Sequence, residues 1–149
     1  YFIGQKGTIL RCSSNCNSSS ASWTAPAGWP SGITSDLHGV FGTGPKDVWV
    51  VGNDGTVVQY DGSKWTQHNV AGSSSYFRAV WGTGPSDVWV VGQGIFKADE
   101  TIFHYDGTSW KKTPPPFNST LNAVWGTGPK DVWAVGSAKF FHYDGSQTP

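Results

Sequence analysis

Residues 40–49 read Val-Phe-Gly-Thr-Gly-Pro-Lys-Asp-Val-Trp, and nearly the same ten residues recur at 80–89 and 124–133. The copies begin 40 and then 44 residues apart. Three copies of so long a phrase do not arise by chance, and a period of about 40 residues is a signature of repeat architectures. The chain is therefore expected to fold as a series of similar units.

A second phrase follows each copy of the first. It is Tyr-Asp-Gly, at residues 60–62, 105–107 and 143–145. In the first two of these places Trp65 and Trp110 complete the longer form Tyr-Asp-Gly-x-x-Trp. Residues 1–10 run in register with residues 49–58, so the start of the chain belongs to the same series.

Each unit predicts four short antiparallel strands, which we call A to D. In the unit that starts at Leu37, strand A covers residues 37–42, strand B 47–51 and strand C 56–60, and strand D begins near Trp65. Gly-Thr-Gly-Pro predicts a tight connection after strand A, because proline fixes φ. Asp-Gly predicts a hairpin after strand C, because glycine tolerates the positive φ that such turns need.

Four antiparallel strands in about 40 residues are typical of a β-propeller blade. We predict an all-β fold, a β-propeller of four-stranded antiparallel blades, in which aromatic residues are buried between neighbouring blades, among them Trp49, Trp89 and Trp133. The expected units are a partial blade at 1–36, blades at 37–70 and 77–114, and a partial blade at 121–149. The partial units hold overlapping strands that cannot complete each other, so we expect an incomplete portion of a longer propeller.

The charge balance argues against several classes of partner. Lys plus Arg and Asp plus Glu each number 10, so the formal net charge is zero, and no basic run is present to bind phosphates. No apolar stretch approaches the roughly 18 residues that a membrane helix needs. We expect neither a nucleic-acid partner nor insertion into a membrane.

The only two cysteines are Cys12 and Cys16, which lie in a segment rich in Ser and Asn. We expect a disulfide that closes this small loop, with two free thiols as the alternative reading. A zinc site is disfavoured because it needs further Cys or His ligands at suitable spacing. A disulfide would place the protein outside the reducing cytosol, so we expect an extracellular or cell-surface location.

The succession of Asp-Val-Trp-Val-Val-Gly at 47–52, Gly-Thr-Val at 55–57 and Tyr-Asp-Gly-x-x-Trp at 60–65 resembles a family pattern. It is similar to the blades of the Asp-box (BNR) propeller superfamily, which includes sialidases, sortilin-type receptors and the photosystem II stability and assembly factor family. The chain also resembles secreted or surface propellers of bacteria, particularly myxobacteria. The resemblance implies that the aspartate of the turn between strands C and D locks that turn, a role carried here by Asp61, Asp106 and Asp144.

The same resemblance implies a possible enzyme, since sialidases belong to the superfamily. A sialidase site needs three arginines for the substrate carboxylate, with a tyrosine and a glutamate acting on the sugar. This chain has only Arg11 and Arg78, and Glu100 is its sole glutamate. We therefore expect no catalytic residues and a protein that is not an enzyme.

Other titratable residues repeat with the units, which favours structural roles. His104 and His142 occupy equivalent positions beside Tyr-Asp-Gly. Another aspartate follows Pro-x in each unit and fits a side chain that caps its own turn backbone; these residues are Asp47, Asp87 and Asp131. No phosphate-binding glycine motif and no metal-ligand spacing are present, so we expect no cofactor and no metal.

The two rims of the predicted propeller differ. The turns from A to B and from C to D share one rim and are nearly identical between units, whereas the loops from B to C and from D to A share the other rim and diverge. Because divergent loops can specialise, we place a ligand site on the variable rim. Its aromatic residues could stack on a sugar or anchor a protein, or instead cover blade edges; they are Trp29, Tyr76, Phe96 and Phe117.

The leading functional hypothesis is a non-enzymatic secreted or cell-surface module that binds a glycan or protein ligand through these loops. The alternative is a structural subunit of a larger extracellular assembly that includes the rest of its propeller. A glycan-active hydrolase comes third, and it would depend on Glu100 or Asp99.

Overall fold

The computed structural model describes residues 1–70, 75–94, 102–113 and 120–146. Within these ranges the chain forms antiparallel β-sheets, and every sheet keeps its strands in chain order. The prediction of an all-β chain of consecutive antiparallel sheets is confirmed. No helix that could cross a bilayer occurs in the described ranges.

The four sheets are called blades 1 to 4. Blade 1 contains β1 (Phe2–Ile3), β2 (Ile9–Ser14) and β3 (Ser22–Thr24). Blade 2 contains β4 (Leu37–Gly44), β5 (Asp47–Gly52), β6 (Val57–Tyr60) and β7 (Trp65–Gln67). Blade 3 contains β8 (Tyr76–Gly84), β9 (Asp87–Gln93), β10 (Ile102–Tyr105) and β11 (Trp110–Lys112). Blade 4 contains β12 (Leu121–Gly128), β13 (Asp131–Gly136) and β14 (Phe140–Tyr143).

Strand A is longer than the sequence predicts. In blade 2 the ladder continues through Gly-Thr-Gly until Gly44 pairs with Asp47, so that only Pro45 and Lys46 remain in the turn. The register shifts between Gly42 and Gly44, which makes Thr43 the extra residue of a β-bulge. The same shift occurs in blades 3 and 4. The bulge absorbs one residue and lets a two-residue hairpin close the strands.

Adjacent blades approach each other through their first strands, β4, β8 and β12. The approach is close enough to restrict side-chain size. A Cβ atom added at Gly39 would lie 2.9 Å from Cγ2 of Val51 and 3.2 Å from the Cα of Ala79 on the next blade. The side of the sheets that carries strand A is therefore the side on which the blades converge.

The core is divided into three apolar clusters, one between each pair of neighbouring blades. Trp49 of blade 2 is 0% exposed, and its ring centroid lies 5.6 Å from Tyr105 and 5.9 Å from Trp110 of blade 3. Trp89 of blade 3 repeats this arrangement, 4.9 Å from Tyr143 of blade 4. Blades 2 and 3 therefore each bury the tryptophan of their second strand against aromatic residues of the following blade.

Replacement of Trp49 by alanine should destabilise the protein by about 3–5 kcal/mol, because it leaves a cavity between blades 2 and 3. Trp133 occupies the equivalent position in blade 4 but is 37% exposed. Trp133→Ala is therefore the matched control and should cost clearly less. Urea unfolding followed by circular dichroism measures both changes, and equal losses would contradict the proposed importance of packing between blades.

Candidate functional site

A second bulge recurs near the start of strand A in three blades. In blade 2, Leu37 pairs with Gly52 and Gly39 pairs with Val51, so His38 has no place in the ladder. Arg78 in blade 3 and Asn122 in blade 4 occupy the equivalent positions. Bulges of this kind change the direction of a side chain and are common beside functional sites.

A glycine at the end of strand B keeps this bulge in place. A Cβ atom at Gly52 would lie 2.3 Å from the carbonyl oxygen of Asp36, and one at Gly92 would lie 2.0 Å from that of Tyr76. Gly136 has the same relation to the residue before strand A of blade 4, at 2.0 Å. No side chain fits at these positions, so the backbone around the bulge is constant while the bulged residue itself varies.

The structure brings the three bulged residues together at one cleft. The cleft has a volume of about 520 Å³ and lies where the first strands begin and the second strands end, on the rim that the sequence marks as variable. Its lining residues are His38, Asn53, Tyr76, Arg78, Gln93 and Asn122. Three blades thus each contribute side chains to a single concave surface.

Two hydrogen bonds order the polar side chains of the cleft. Nε2 of His38 donates to Oδ1 of Asn53 over 2.8 Å, and Nη2 of Arg78 donates to Oε1 of Gln93 over 3.3 Å. Both join strand A to the end of strand B within one blade. Arg78 is the only permanent cation among the described lining residues, and none of those residues is a carboxylate.

The four aromatic residues expected to bind ligand have different placements. Tyr76 lines the cleft and is 37% exposed. Trp29 instead packs edge-on against Trp65, with ring centroids 5.0 Å apart, in the cluster between blades 1 and 2. Phe96 and Phe117 lie outside the described residues.

Of the described residues that line the cleft, only Tyr76 was predicted from the sequence. A usable signal was present, because His38, Arg78 and Asn122 are the positions where a repeated frame changes its chemistry: an apolar residue precedes each one, and Gly or Ala follows. Periodicity could not show that these residues bulge, since a regular strand would place each of them in the ladder. Nor could it show that Asn53 and Gln93 lie beside them.

The aspartates that open strand B were expected to cap their own turn backbone. The hydrogen bonds that they accept come instead from side chains. Asp47 accepts hydrogen bonds from Oγ1 of Thr43 at 2.5 Å and from Nε1 of Trp49 at 2.8 Å. The reason is the bulge at Thr43, which places its hydroxyl opposite the first residue of strand B. Asp131 has the same two kinds of partner and also accepts from Nε2 of His142 at 2.8 Å.

Asp87 forms the corresponding network in blade 3. It accepts from Oγ1 of Thr83 at 2.5 Å and from Nε2 of His104 at 2.7 Å, and the His104 ring stacks on Trp89. Burial raises the pKa of Asp87, but the hydrogen bonds from His104 and Thr83 outweigh it and hold that pKa below its usual value. The Thr83 hydroxyl donates to the aspartate and not to the histidine, so this group lacks the order of a nucleophile, base and orienting acid.

His68 is another histidine in the blade interface. Its Nδ1 accepts from Nε1 of Trp110 at 3.4 Å, its Nε2 lies 3.1 Å from Oε1 of Gln59, and its ring packs against Trp49. Burial lowers the pKa of His68. In the described part of the chain no three His, Cys, Asp or Glu side chains are grouped to hold a metal ion.

The turn between strands C and D is organised by its aspartate. Oδ1 of Asp61 accepts from the backbone N–H of Ser63 at 2.8 Å, from Oγ of Ser63 at 2.7 Å and from the backbone N–H of Lys64 at 2.9 Å. Gly62 within this turn has a φ of 94°, which favours glycine. Asp106 accepts the equivalent three bonds in blade 3, and Asp144 accepts from the backbone N–H and Oγ of Ser146 in blade 4.

These bonds stabilise the charged form of the carboxylates. The side-chain bond from Ser63 and the two backbone bonds lower the pKa of Asp61 to about 2. Bonds from Thr108 and Ser109 lower the pKa of Asp106 as well. Asp61 and Asp106 thus hold their turns through hydrogen bonds that favour the ionised carboxylate.

Cys12 and Cys16 form a disulfide, with their Cα atoms 5.7 Å apart. It lies in the exposed hairpin that joins β2 to β3, where Cys12 pairs with Trp23. The bond therefore fastens a surface loop, and neither cysteine belongs to the apolar clusters between the blades.

Comparison with known proteins supports the fold. No protein-family model matches the chain, and no curated protein matches it. A solved structure of YCF48 bound to D1 peptide matches with a TM-score of 0.59 at 18% sequence identity. The match covers 74% of this chain and 37% of that one. YCF48 is a β-propeller, so the predicted propeller fold is confirmed.

The unfolding free energy should fall as the pH drops from about 4 towards about 2. The pKa of Asp61 is lowered in the folded state, so its contribution is complete above the unfolded value of about 3.9 and is lost on protonation. Asp61→Asn should be less stable at neutral pH and should show a shallower loss in this window. Ser63→Ala, which removes one of the three bonds, should be intermediate in urea unfolding. Parallel pH curves for the three proteins would refute this role.

Proposed function

We propose that this chain is a non-enzymatic, secreted or cell-surface propeller module that binds a protein ligand in the cleft on its variable rim. One observation carries the proposal: three blades place chemically different side chains at the same bulge, and His38, Arg78 and Asn122 share one cleft. The backbone around the bulge is nearly constant between blades, so the change of side chain at the bulge serves ligand recognition and not folding.

The dimensions of the cleft support a binding role. Its volume of about 520 Å³ lies within the range of roughly 300–1,000 Å³ that is typical of ligand sites. The polar groups come from rigid strands and strand ends. Tyr76 supplies an aromatic surface with a hydroxyl group, which suits contact with a partner protein.

The chemistry of the lining favours a peptide segment over a sugar. Asn53, Gln93 and Asn122 carry amides that both donate and accept, matching the N–H and C=O groups of a peptide backbone. Sugar recognition relies on exposed aromatic faces, and Tyr76 is the one aromatic residue of the described lining, since Trp29 is engaged with Trp65 between blades. The structural relative YCF48 is described as bound to D1 peptide, which supports a protein ligand for the same kind of fold. A glycan ligand is the competing case.

The non-enzymatic part of the proposal is supported by the hydrogen bonds of the titratable groups. Asp47, Asp87 and Asp131 are each held by side chains of their own blade. The described lining of the cleft contains no carboxylate and no thiol. His38 is the one histidine of that lining; its Nε2 is bonded to the Asn53 amide, and no carboxylate of the described lining is present to orient it as a general base.

The proposed location follows from the exposed disulfide between Cys12 and Cys16. Such bonds persist in oxidising compartments and are rare in the cytosol. The Asp-Gly turns with their aspartate bonds suit the secreted propellers of Asp-box type that the sequence resembles. We therefore extend the proposal to a secreted or surface protein of that type.

A structural subunit of a larger extracellular assembly is the second candidate. Its support is the face of blade 4, where Trp125 is 60% exposed and Phe140 is 64% exposed. Exposed aromatic residues on a blade face suit a permanent contact. This candidate predicts an obligate multimer that needs no separate ligand.

The test is binding to an array of random 12-residue peptides, with a glycan array in parallel. The wild-type protein should bind a subset of peptides, and Tyr76→Ala/Asn122→Ala should weaken that binding at least about tenfold, or about 1.4 kcal/mol. Asn17→Ala, in the exposed loop of blade 1, is the control and should bind normally.

Three outcomes would contradict the proposal. If Tyr76→Ala/Asn122→Ala binds peptides as tightly as the Asn17→Ala control, the cleft is not the ligand site. Binding confined to the glycan array would make the ligand a sugar. A stable multimer in native mass spectrometry, with no peptide bound, would favour the structural subunit.

A further inference from the structure

The bulged residue of blade 3 is the only permanent charge in the described lining of the cleft. Arg78 lies on β8 between blades 2 and 4, which supply the bulged residues His38 and Asn122. Its guanidinium group carries five N–H donors in a planar fork. In the structure it donates to Oε1 of Gln93, which fixes its orientation and leaves further donors for a ligand.

Asp36 and Asp54, the described carboxylates next to the cleft in sequence, bond to groups other than Arg78. Oδ1 of Asp36 accepts from the backbone N–H of Lys6 at 2.9 Å, in blade 1. Oδ2 of Asp54 accepts from Oγ of Ser35 at 2.7 Å. These residues flank His38 and Asn53 in the chain, yet neither forms an ion pair with Arg78. Among the described residues, the cleft therefore carries a positive charge that has no carboxylate partner.

Resting on the function proposed above, we infer that the cleft selects an acidic peptide segment and that Arg78 receives its carboxylate. Arginine pairs with carboxylates through two parallel hydrogen bonds, which supply both geometry and charge. The amides of Asn53 and Asn122 bind the peptide backbone on either side. Specificity in this arrangement comes from the bulge positions, because each blade contributes one residue whose chemistry can change without altering the frame.

The size of the expected effect follows from the charge. Hydrogen bonds to ionised groups contribute about 1.5–3 kcal/mol, which corresponds to roughly 10- to 150-fold in affinity. Because the site is open to solvent, we expect the lower end of this range. The preference should weaken with added salt, as charge attraction at an open site does.

The experiment uses 12-residue peptides printed as triplets that differ only in charge. Each sequence carries glutamate at two positions in one copy, glutamine in the second and lysine in the third. The wild-type protein should bind the glutamate copies at least about tenfold more tightly than the glutamine copies. Arg78→Gln should abolish this preference, and Arg78→Lys should keep only part of it, because lysine lacks the bidentate fork.

Arg11→Gln is the matched control, because it removes the same charge from the only other arginine, on β2 of blade 1. It should leave the preference intact. If Arg78→Gln and Arg11→Gln weaken the preference for glutamate peptides equally, the preference depends only on the net charge of the protein, and the inference is overturned. Equal binding of the glutamate and glutamine copies would overturn it too, while leaving the proposed peptide site standing.

Two further outcomes separate the inference from the proposed function. If the wild-type protein binds no peptide of any charge, the proposed function fails and the inference fails with it. An oligogalacturonate, which carries carboxylates on a sugar chain, is tested alongside. Arg78-dependent binding of this glycan without binding of glutamate peptides would assign the carboxylate to a glycan and overturn the inference.

Discussion

The structure depends on burial of aromatic side chains between blades. A single blade exposes both faces to water, so it gains stability only when a neighbour covers it. Trp49 and Trp89 are fully or almost fully buried in this way, and each one lies against aromatic residues of the next blade. The repeated sequence therefore reflects a repeated interface, and the period of the repeat is the period of that contact.

Close packing of blades also explains where the chain can vary. Gly39 and Gly52 have no room for a side chain, because a neighbouring strand or carbonyl group lies against them. His38, which precedes Gly39 in the chain, is outside the ladder and lines the cleft. A rigid frame thus holds a variable position, which is the arrangement that a binding site needs if its specificity is to change without loss of the fold.

The aspartates and histidines illustrate how a repeat can resemble catalytic machinery. Asp87 and His104 lie 2.7 Å apart, as an acid and a base would, yet the same pairing recurs in Asp131 and His142 of blade 4. A Thr hydroxyl completes each group from the bulge beside it. Their shared role is to tie strands A, B and C of one blade together near the rim of the constant turns.

The sequence by itself determined the architecture, because the period, the Asp-Gly turns and the spacing of tryptophans such as Trp49 can be read directly from the order of residues. It also indicated the rim that would vary and the disulfide between Cys12 and Cys16. Only the tertiary structure decided which residues meet there: Trp29 turned inward to Trp65, while Arg78 reached the cleft. The physical reason is that a bulge is set by the register between two paired strands and the cleft by the packing of three blades, and the residue pattern of one strand specifies neither.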